Sequence, residues 1–283
     1  MTRFVPMIFL GSSGAGDNIR SLSAMVSLSK KLTSPQIFEL AWRKNHFETL
    51  PFQDQQETFQ YQFDYLLRFI KNKNFSVDHV IVSDDEWKRH RKPLKWESFY
   101  GDGIYSFASK SVNFHTSLKT EKKKLVICRD TFVHHGVLKE GNKKKYFEYN
   151  QWQKIIYFFK KHFKVVELEY RTPISEVMYH LATCEILFTY DGMWHKHAAC
   201  LNKPRITLYD PGFYYWLSKD YFKNHTDQMT KNNILNNRKS LVSGKYLQDT
   251  GSLMVLNHTL EDFLDLDYFK FLIARAKTLA IKD

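Results

Sequence analysis

Hydrophobic and polar positions follow two periods along the chain. Apolar strand-like runs fall at Val5 to Leu10, Val77 to Val82, Leu125 to Cys128, Lys164 to Leu168, Ile186 to Thr189 and Arg205 to Tyr209. Between several of them, Leu22 to Leu32, Phe59 to Ile70, Trp152 to His162 and Ile174 to Thr183 place apolar residues at helical spacing. Alternating strand and helix patterns predict parallel sheets in an α/β architecture. The lysine-rich, apolar-poor stretch Lys119 to Lys124 reads as a linker and sets a domain boundary near residue 121. Leu260 to Ile281 predicts one or two helices that close the molecule, and no internal repeat is visible.

Composition adds bounds to this pattern. With 283 residues, 43% hydrophobic and 16% aromatic, the chain can bury a large core in one large or two compact domains. No stretch reaches the roughly 20 apolar residues of a spanning helix, and the short apolar N-terminal run lacks a small-residue cleavage site. A cytoplasmic protein is therefore expected. Cys128, Cys184 and Cys200 are odd in number and form no Cys-x-x-Cys pair, so they read as reduced core thiols.

Charge changes the picture more. The net charge of +12 attracts polyanions: nucleic acid, anionic lipid headgroups or phosphorylated glycans. Lys88, Arg89, Arg91, Lys92 and Lys95 sit between Trp87 and Trp96, and further clumps lie at Lys122 to Lys124 and Lys143 to Lys145. Such runs are ordinarily solvated faces. The flanking tryptophans add the expectation of a nucleic-acid surface, where cations meet phosphates and aromatic rings stack on bases.

In open parallel sheets ligands bind at the carboxyl ends of strands, and two turns there carry functional residue types. The first is "GSSGAGDNIRSLSAM", residues 11 to 25. Its glycines permit close backbone approach, and Asp17 can cap the following helix. Its spacing is neither G-x-G-x-x-G nor a Walker A loop, so a nucleotide cradle is not read there. The second is "TYDGMWHKHAACLNKP", residues 189 to 204. Asp191 and Gly192 form a turn, and the helix start after it offers backbone N–H groups and a positive dipole end to an anion. His195 and His197 add side-chain donors. They do not read as a metal pair, because alternate helix residues point to different faces and no third ligand is near.

Together the two turns resemble the ADP-heptose:lipopolysaccharide heptosyltransferases. In that family a Gly-x-Gly-Asp turn leads into a Leu-Pro-Ala-Leu helix; here "GAGDNIRSLSAM" matches in order, with Ser23 at the proline. The family's Asp-Thr-Gly-Pro-Met-His-Leu-Ala-Ala-Ala-Leu-Gly-Lys-Pro is similar to "DGMWHKHAACLNKP", which keeps the aspartate, Ala-Ala, leucine and Lys-Pro. The glycine comes one residue early, and Lys196 takes the histidine position with a histidine on each side, so which of His195, Lys196 and His197 meets the donor stays open. "KKKYFEYNQWQKIIYFFKKHFKVVEL" and "PISEVMYHLATCEILFTYDG" resemble the family's segments between the signatures.

The resemblance implies a GT-B fold: α/β, two Rossmann-like domains whose parallel sheets face an interdomain cleft. Residues 1–120 would bind the acceptor, 121–258 the nucleotide sugar, and 259–283 would be the closing helical segment. It implies a nucleotide-sugar-dependent glycosyltransferase, inverting and metal-independent, with no cofactor beyond the nucleotide-diphosphate sugar it consumes. Asp17 falls on the family's general base, with a plain helix cap as the competing reading. Gly14, Gly16 and Arg20 would lie on the acceptor side, Arg20 orienting Asp17, meeting acceptor phosphate or being an ordinary surface arginine. Arg129 and Lys145 would hold the diphosphate, with Lys143 and Lys144 interchangeable with Lys145. Asp191, Gly192, His195 and His197 would complete the cradle. Asp210 would line the nucleotide pocket or simply form a Pro-Gly turn.

"VSDDEW", residues 82 to 87, passes as a degenerate Asp-x-Asp, yet the donor-like turn lies a hundred residues later; Asp84, Asp85 and Glu86 therefore read as a loop or helix cap. His134 and His135 sit in a loop, and Glu167 and Glu169 stay unassigned. For the acceptor, the basic cluster of Trp87, Lys88, Arg89, Arg91, Lys92, Lys95 and Trp96, together with a composition suited to an AT-rich bacteriophage genome, points to a hydroxymethylated pyrimidine base in DNA. The alternative is the family's lipopolysaccharide or another envelope glycan. A non-catalytic nucleic-acid-binding protein on the same scaffold is the second alternative.

Overall fold

The computed structural model describes residues 7–11, 15–30, 32–44, 55–91, 112–129, 147–169, 172–190, 193–209, 246–249, 252–256 and 259–280. The chain divides into two compact units, one of Met1–Ile104 with Ala108–His115, the other of Tyr105–Phe107 with Thr116–Asp283.

The first unit runs β1 (Met7–Leu10), α1 (Ala15–Ser29), β2 (Gln36–Arg43), α2 (Gln55–Leu67), β3 (Phe75–Val82) and α3 (Asp84–Arg91). Its strands pair in parallel in the order β1-β2-β3. The sequence pattern did not announce β2, whose Ile37 is exposed while Phe38, Leu40 and Trp42 are fully buried. Trp42 stacks on Phe59 of α2 at 6.3 Å and donates its indole N–H to His79 Nδ1 at 2.9 Å. That acceptor role puts the His79 proton on Nε2, which donates to Asp64 Oδ1 at 2.9 Å. On the other face Ala41 and Val82 pack against Trp87 of α3.

Gly11 carries the chain out of β1, its N–H donating to Ala41 O at 2.8 Å. A Cβ there would lie 2.5 Å from Trp42 Cε3, so glycine is required by the indole passing against its backbone. Gly11→Ala is therefore expected to destabilise the first unit by about 1–3 kcal/mol, the cost of overpacking a filled core, read as a lowered midpoint in thermal unfolding. An unchanged midpoint would mean that Trp42 relaxes freely.

The second unit runs β4 (Lys124–Cys128), α4 (Tyr149–Lys160), β5 (Lys164–Leu168), α5 (Ile174–Thr183), β6 (Ile186–Tyr190), α6 (Met193–Cys200), β7 (Arg205–Tyr209), β8 (Tyr246–Asp249), β9 (Ser252–Leu256), α7 (Leu260–Leu264) and α8 (Leu266–Ala280). Its sheet has the order β5-β4-β6-β7-β9-β8, parallel except for the β8–β9 pair. Trp152, Ile155, Ile156 and Phe159 recur at i, i+3, i+4 and i+7 and turn one stripe of α4 inward. They meet Leu125, Ile127, Ile186, Phe188, Ile206 and Leu208 of the sheet and Phe263, Phe269, Leu272 and Ile273 of α7 and α8. The helices α5 and α6 pack on the sheet through buried Val177, Met178, Leu181, Ala198 and Ala199.

The stretch expected to be a linker enters β4 under restraint. Lys203 Nζ donates to Thr120 Oγ1 at 2.8 Å. Lys124 is buried rather than solvated, with Nζ 2.6 Å from Glu121 Oε1 and 4.9 Å from the Tyr179 ring centroid. Hydrogen bonds from Lys124 and Lys164 pull the Glu121 carboxyl down to about 2 from an ordinary 4.5. A depressed carboxylate pKa stabilises the folded state above the unfolded pKa, and that contribution disappears as pH falls from 4.5 toward 2. Glu121→Gln is thus expected to lower the melting temperature at pH 7, with the variant and parent curves converging through that acid window. A gap that persists at pH 2 would assign the effect to something other than the carboxylate charge.

The three cysteines are buried free thiols, as the sequence indicates, and burial pushes Cys184 and Cys200 up to about 12.

Candidate functional site

The strand order of the second unit defines where a ligand is expected to sit. From β4 the chain crosses one way to β5, then returns past β4 to β6 and continues to β7. The neighbouring carboxyl ends of β4 and β6, where Cys128 pairs with Thr189, are thus a topological switch point. Arg129 follows β4 and Tyr190 ends β6 at this edge; α6 begins at Met193 and α4 at Tyr149. The Arg129 guanidinium lies over the exposed Tyr149 ring, 5.1 Å from its centroid. Stacking engages the flat face of a guanidinium, while its N–H donors point along the edge, the geometry that phosphate recognition uses.

Tyr190, which the sequence reading passed over, is the hub of the edge. Its buried hydroxyl accepts from Phe147 N–H and from Trp152 Nε1–H, each at 3.1 Å. The tryptophan of the helix expected near the donor is accordingly a core residue, 5.4 Å from the Tyr190 ring. The only sequence signal for Tyr190 was its place directly before Asp191.

His195 and His197 of α6 are both fully buried. His195 Nδ1 lies 2.9 Å from Thr207 Oγ1 of β7. Burial, reinforced by the positive charges of Arg205 and Lys196, holds its pKa well below the usual histidine value, so it stays neutral. Lys196 is half-buried. The physical reason is enclosure: Trp194, Ala198, Ala199, Cys200 and Leu201 are buried as well, so α6 is covered on nearly every side.

In the first unit the backbone puts Asp17 in the opening turn of α1, seven residues after the end of β1, with Arg20 one turn on. Ser23, which stands at the family's proline, is buried and donates its hydroxyl to Ile19 O at 2.8 Å. In the basic cluster Trp87 is 7% exposed, packs on Ala41 and Val82, and has the Arg43 guanidinium 5.7 Å from its ring. Lys88, Arg89 and Arg91 continue α3. As expected of a helix cap, Asp84, Asp85 and Glu86 occupy the first turn of α3, where Ser83 Oγ accepts from Glu86 N–H at 3.3 Å. Asp84 also takes a two-point bond from Arg43, with Nε to Oδ1 at 2.8 Å and the second contact to Oδ2. Glu167 pairs with Lys160 at 2.9 Å. Gly14, Lys92, Lys95, Trp96, His134, His135, Lys143 to Lys145, Asp191, Gly192 and Asp210 lie outside the described residues. Among the described residues no group of three or more His, Cys, Asp or Glu side chains is arranged to hold a metal ion, and no helix is long and apolar enough to cross a membrane.

Two α/β units built on parallel strands, the second with a switch point, make up a GT-B fold. The particular likeness is to E. coli ADP-heptose LPS heptosyltransferase II, at 10% identity and a TM-score of 0.50 over 96% of this chain and 100% of that one. E. coli heptosyltransferase WaaC with ADP aligns over 98% of this chain and 99% of its own, at 11% identity and a TM-score of 0.45. No protein-family profile and no curated sequence matches the chain.

Proposed function

We propose that the protein is a nucleotide-sugar-dependent glycosyltransferase that moves a sugar onto a hydroxyl of a phosphorylated envelope glycan. The carrying observation is the end-to-end likeness of the chain to heptosyltransferase II, whose name states an ADP-heptose donor and a lipopolysaccharide acceptor. In this reading the acceptor O–H gives its proton to Asp17 and its oxygen attacks the anomeric carbon. The bond from that carbon to the diphosphate breaks, and configuration inverts. Arg129, Lys145, the Asp191–Gly192 turn and the backbone N–H groups at the start of α6 meet the charge developing on the departing diphosphate. In the same reading Asp210 is assigned to the nucleotide, and Gly14, Gly16 and Arg20 to the acceptor side. The reaction needs no metal.

The net charge of +12 suits any polyanionic acceptor, and a hydroxymethylated pyrimidine in DNA is the second reading. Trp87, one of the two tryptophans that favoured it, is buried, which favours the glycan reading. Lys88, Arg89, Arg91, Lys92, Lys95 and Trp96 then serve the phosphates and rings of a glycan acceptor.

The test is mass spectrometry of two acceptors incubated with the protein and a panel of nucleotide sugars: a truncated, phosphorylated lipopolysaccharide core, and duplex DNA containing 5-hydroxymethylcytosine. A sugar increment on the glycan is expected. An increment on the modified base alone would replace the acceptor, and no increment with any donor would remove the transferase reading.

A further inference from the structure

We propose that Tyr190 is a positioning residue of the donor site, a role that rests on the transferase reading above. Its hydroxyl fastens the entry of α4 to the end of β6. The two bonds it accepts come from Phe147, two residues after Lys145, and from Trp152 inside α4, while Tyr190 itself directly precedes Asp191. One oxygen thus ties the Phe147 N–H and the Trp152 indole, at the entry and in the first turn of α4, to the end of β6. Phe147 is held a second time, edge-on to Trp152 at 5.8 Å and to Phe263 at 5.7 Å. Tyr149, one turn before Trp152, carries Arg129 over its ring. The ends of β4 and β6 and the start of α4 are thereby joined at the switch point. A site that must close on a diphosphate gains from having its parts held in place before the ligand arrives.

Tyr190→Phe isolates this role, because it removes one oxygen and keeps the ring that fills the core. It leaves two N–H donors without their partner, so some loss of stability accompanies it. A purely structural residue would lower the melting temperature and leave affinity unchanged well below it. The experiment is isothermal titration of the full chain with ADP, UDP and GDP at 15 °C, alongside Phe159→Leu as a destabilised control from the interior of α4. The expected result is that Tyr190→Phe weakens the best of the three nucleotides about tenfold or more, while Phe159→Leu stays within about twofold of the parent. Equal affinity in Tyr190→Phe and parent would overturn the positioning role and leave the transferase reading standing. If the parent takes none of the three nucleotides, the donor site falls and this role falls with it.

Amide exchange on the parent protein gives a second reading that needs no variant to fold. Saturating nucleotide is expected to slow exchange in residues 147–152 and 186–190 together. Slowing confined to one of the two segments would also overturn the proposal.

Discussion

Asp17→Asn is expected to lower sugar transfer by roughly 10²–10⁴-fold, the range over which a positioned general base contributes, with nucleotide affinity held within about twofold. Asparagine keeps the size of the side chain and loses its ability to take a proton. The choice also separates the two readings of this residue, which lies in the opening turn of α1. Asparagine caps a helix about as well as aspartate does, so a residue that only caps would tolerate the change with turnover intact. Steady-state rates at saturating donor, paired with titration of the nucleotide, distinguish them: lost turnover with retained binding marks a base, and retained turnover marks a cap.

The second large effect belongs to the core. Phe188 is fully buried in the middle of the second sheet, with the rings of Trp152, Phe159, Phe263 and Phe269 at 5.6, 5.9, 5.0 and 5.6 Å. Phe188→Ala removes the ring on which α4, α7 and α8 converge, and the cavity it leaves is expected to cost about 3–5 kcal/mol. Urea unfolding of the full chain reads this as a lowered midpoint for the second unit, whereas Gly11→Ala acts on the first. A shift below about 1 kcal/mol would mean that the helices close over the space.

What the sequence displayed depended on how each element buries itself. Lys164–Leu168, Arg205–Tyr209 and Ile174–Thr183 take the bounds their patterns predict, because short strand-like runs rich in β-branched residues and a sharp helical period leave one solution. β2 was missed because burial splits it: Ile37 is exposed and Glu39 half-buried, which interrupts the apolar run beside a fully buried Trp42. The GT-B fold was legible through two short signatures, yet the burial of the histidines and of Trp87 was not, for a common reason. Enclosure is set by neighbours remote in the chain, Thr207 for His195 and Ala41 for Trp87, and residue type alone predicts the more exposed state. Tyr190 escaped notice because its partners lie about 40 residues upstream.

Lys203 belongs to the Lys-Pro that ends the second signature, and its ammonium reaches back to Thr120, 83 positions earlier, at the threshold of β4. Burial lowers its pKa, and Cys184 O lies 3.5 Å away. In this chain that part of the signature works as a rivet between the loop before β7 and the strap by which the polypeptide enters its second unit. This stretch, which resembles a heptosyltransferase signature, therefore forms an architectural joint in this chain. Lys203→Met would probe joinery, and Asp17→Asn the proposed chemistry.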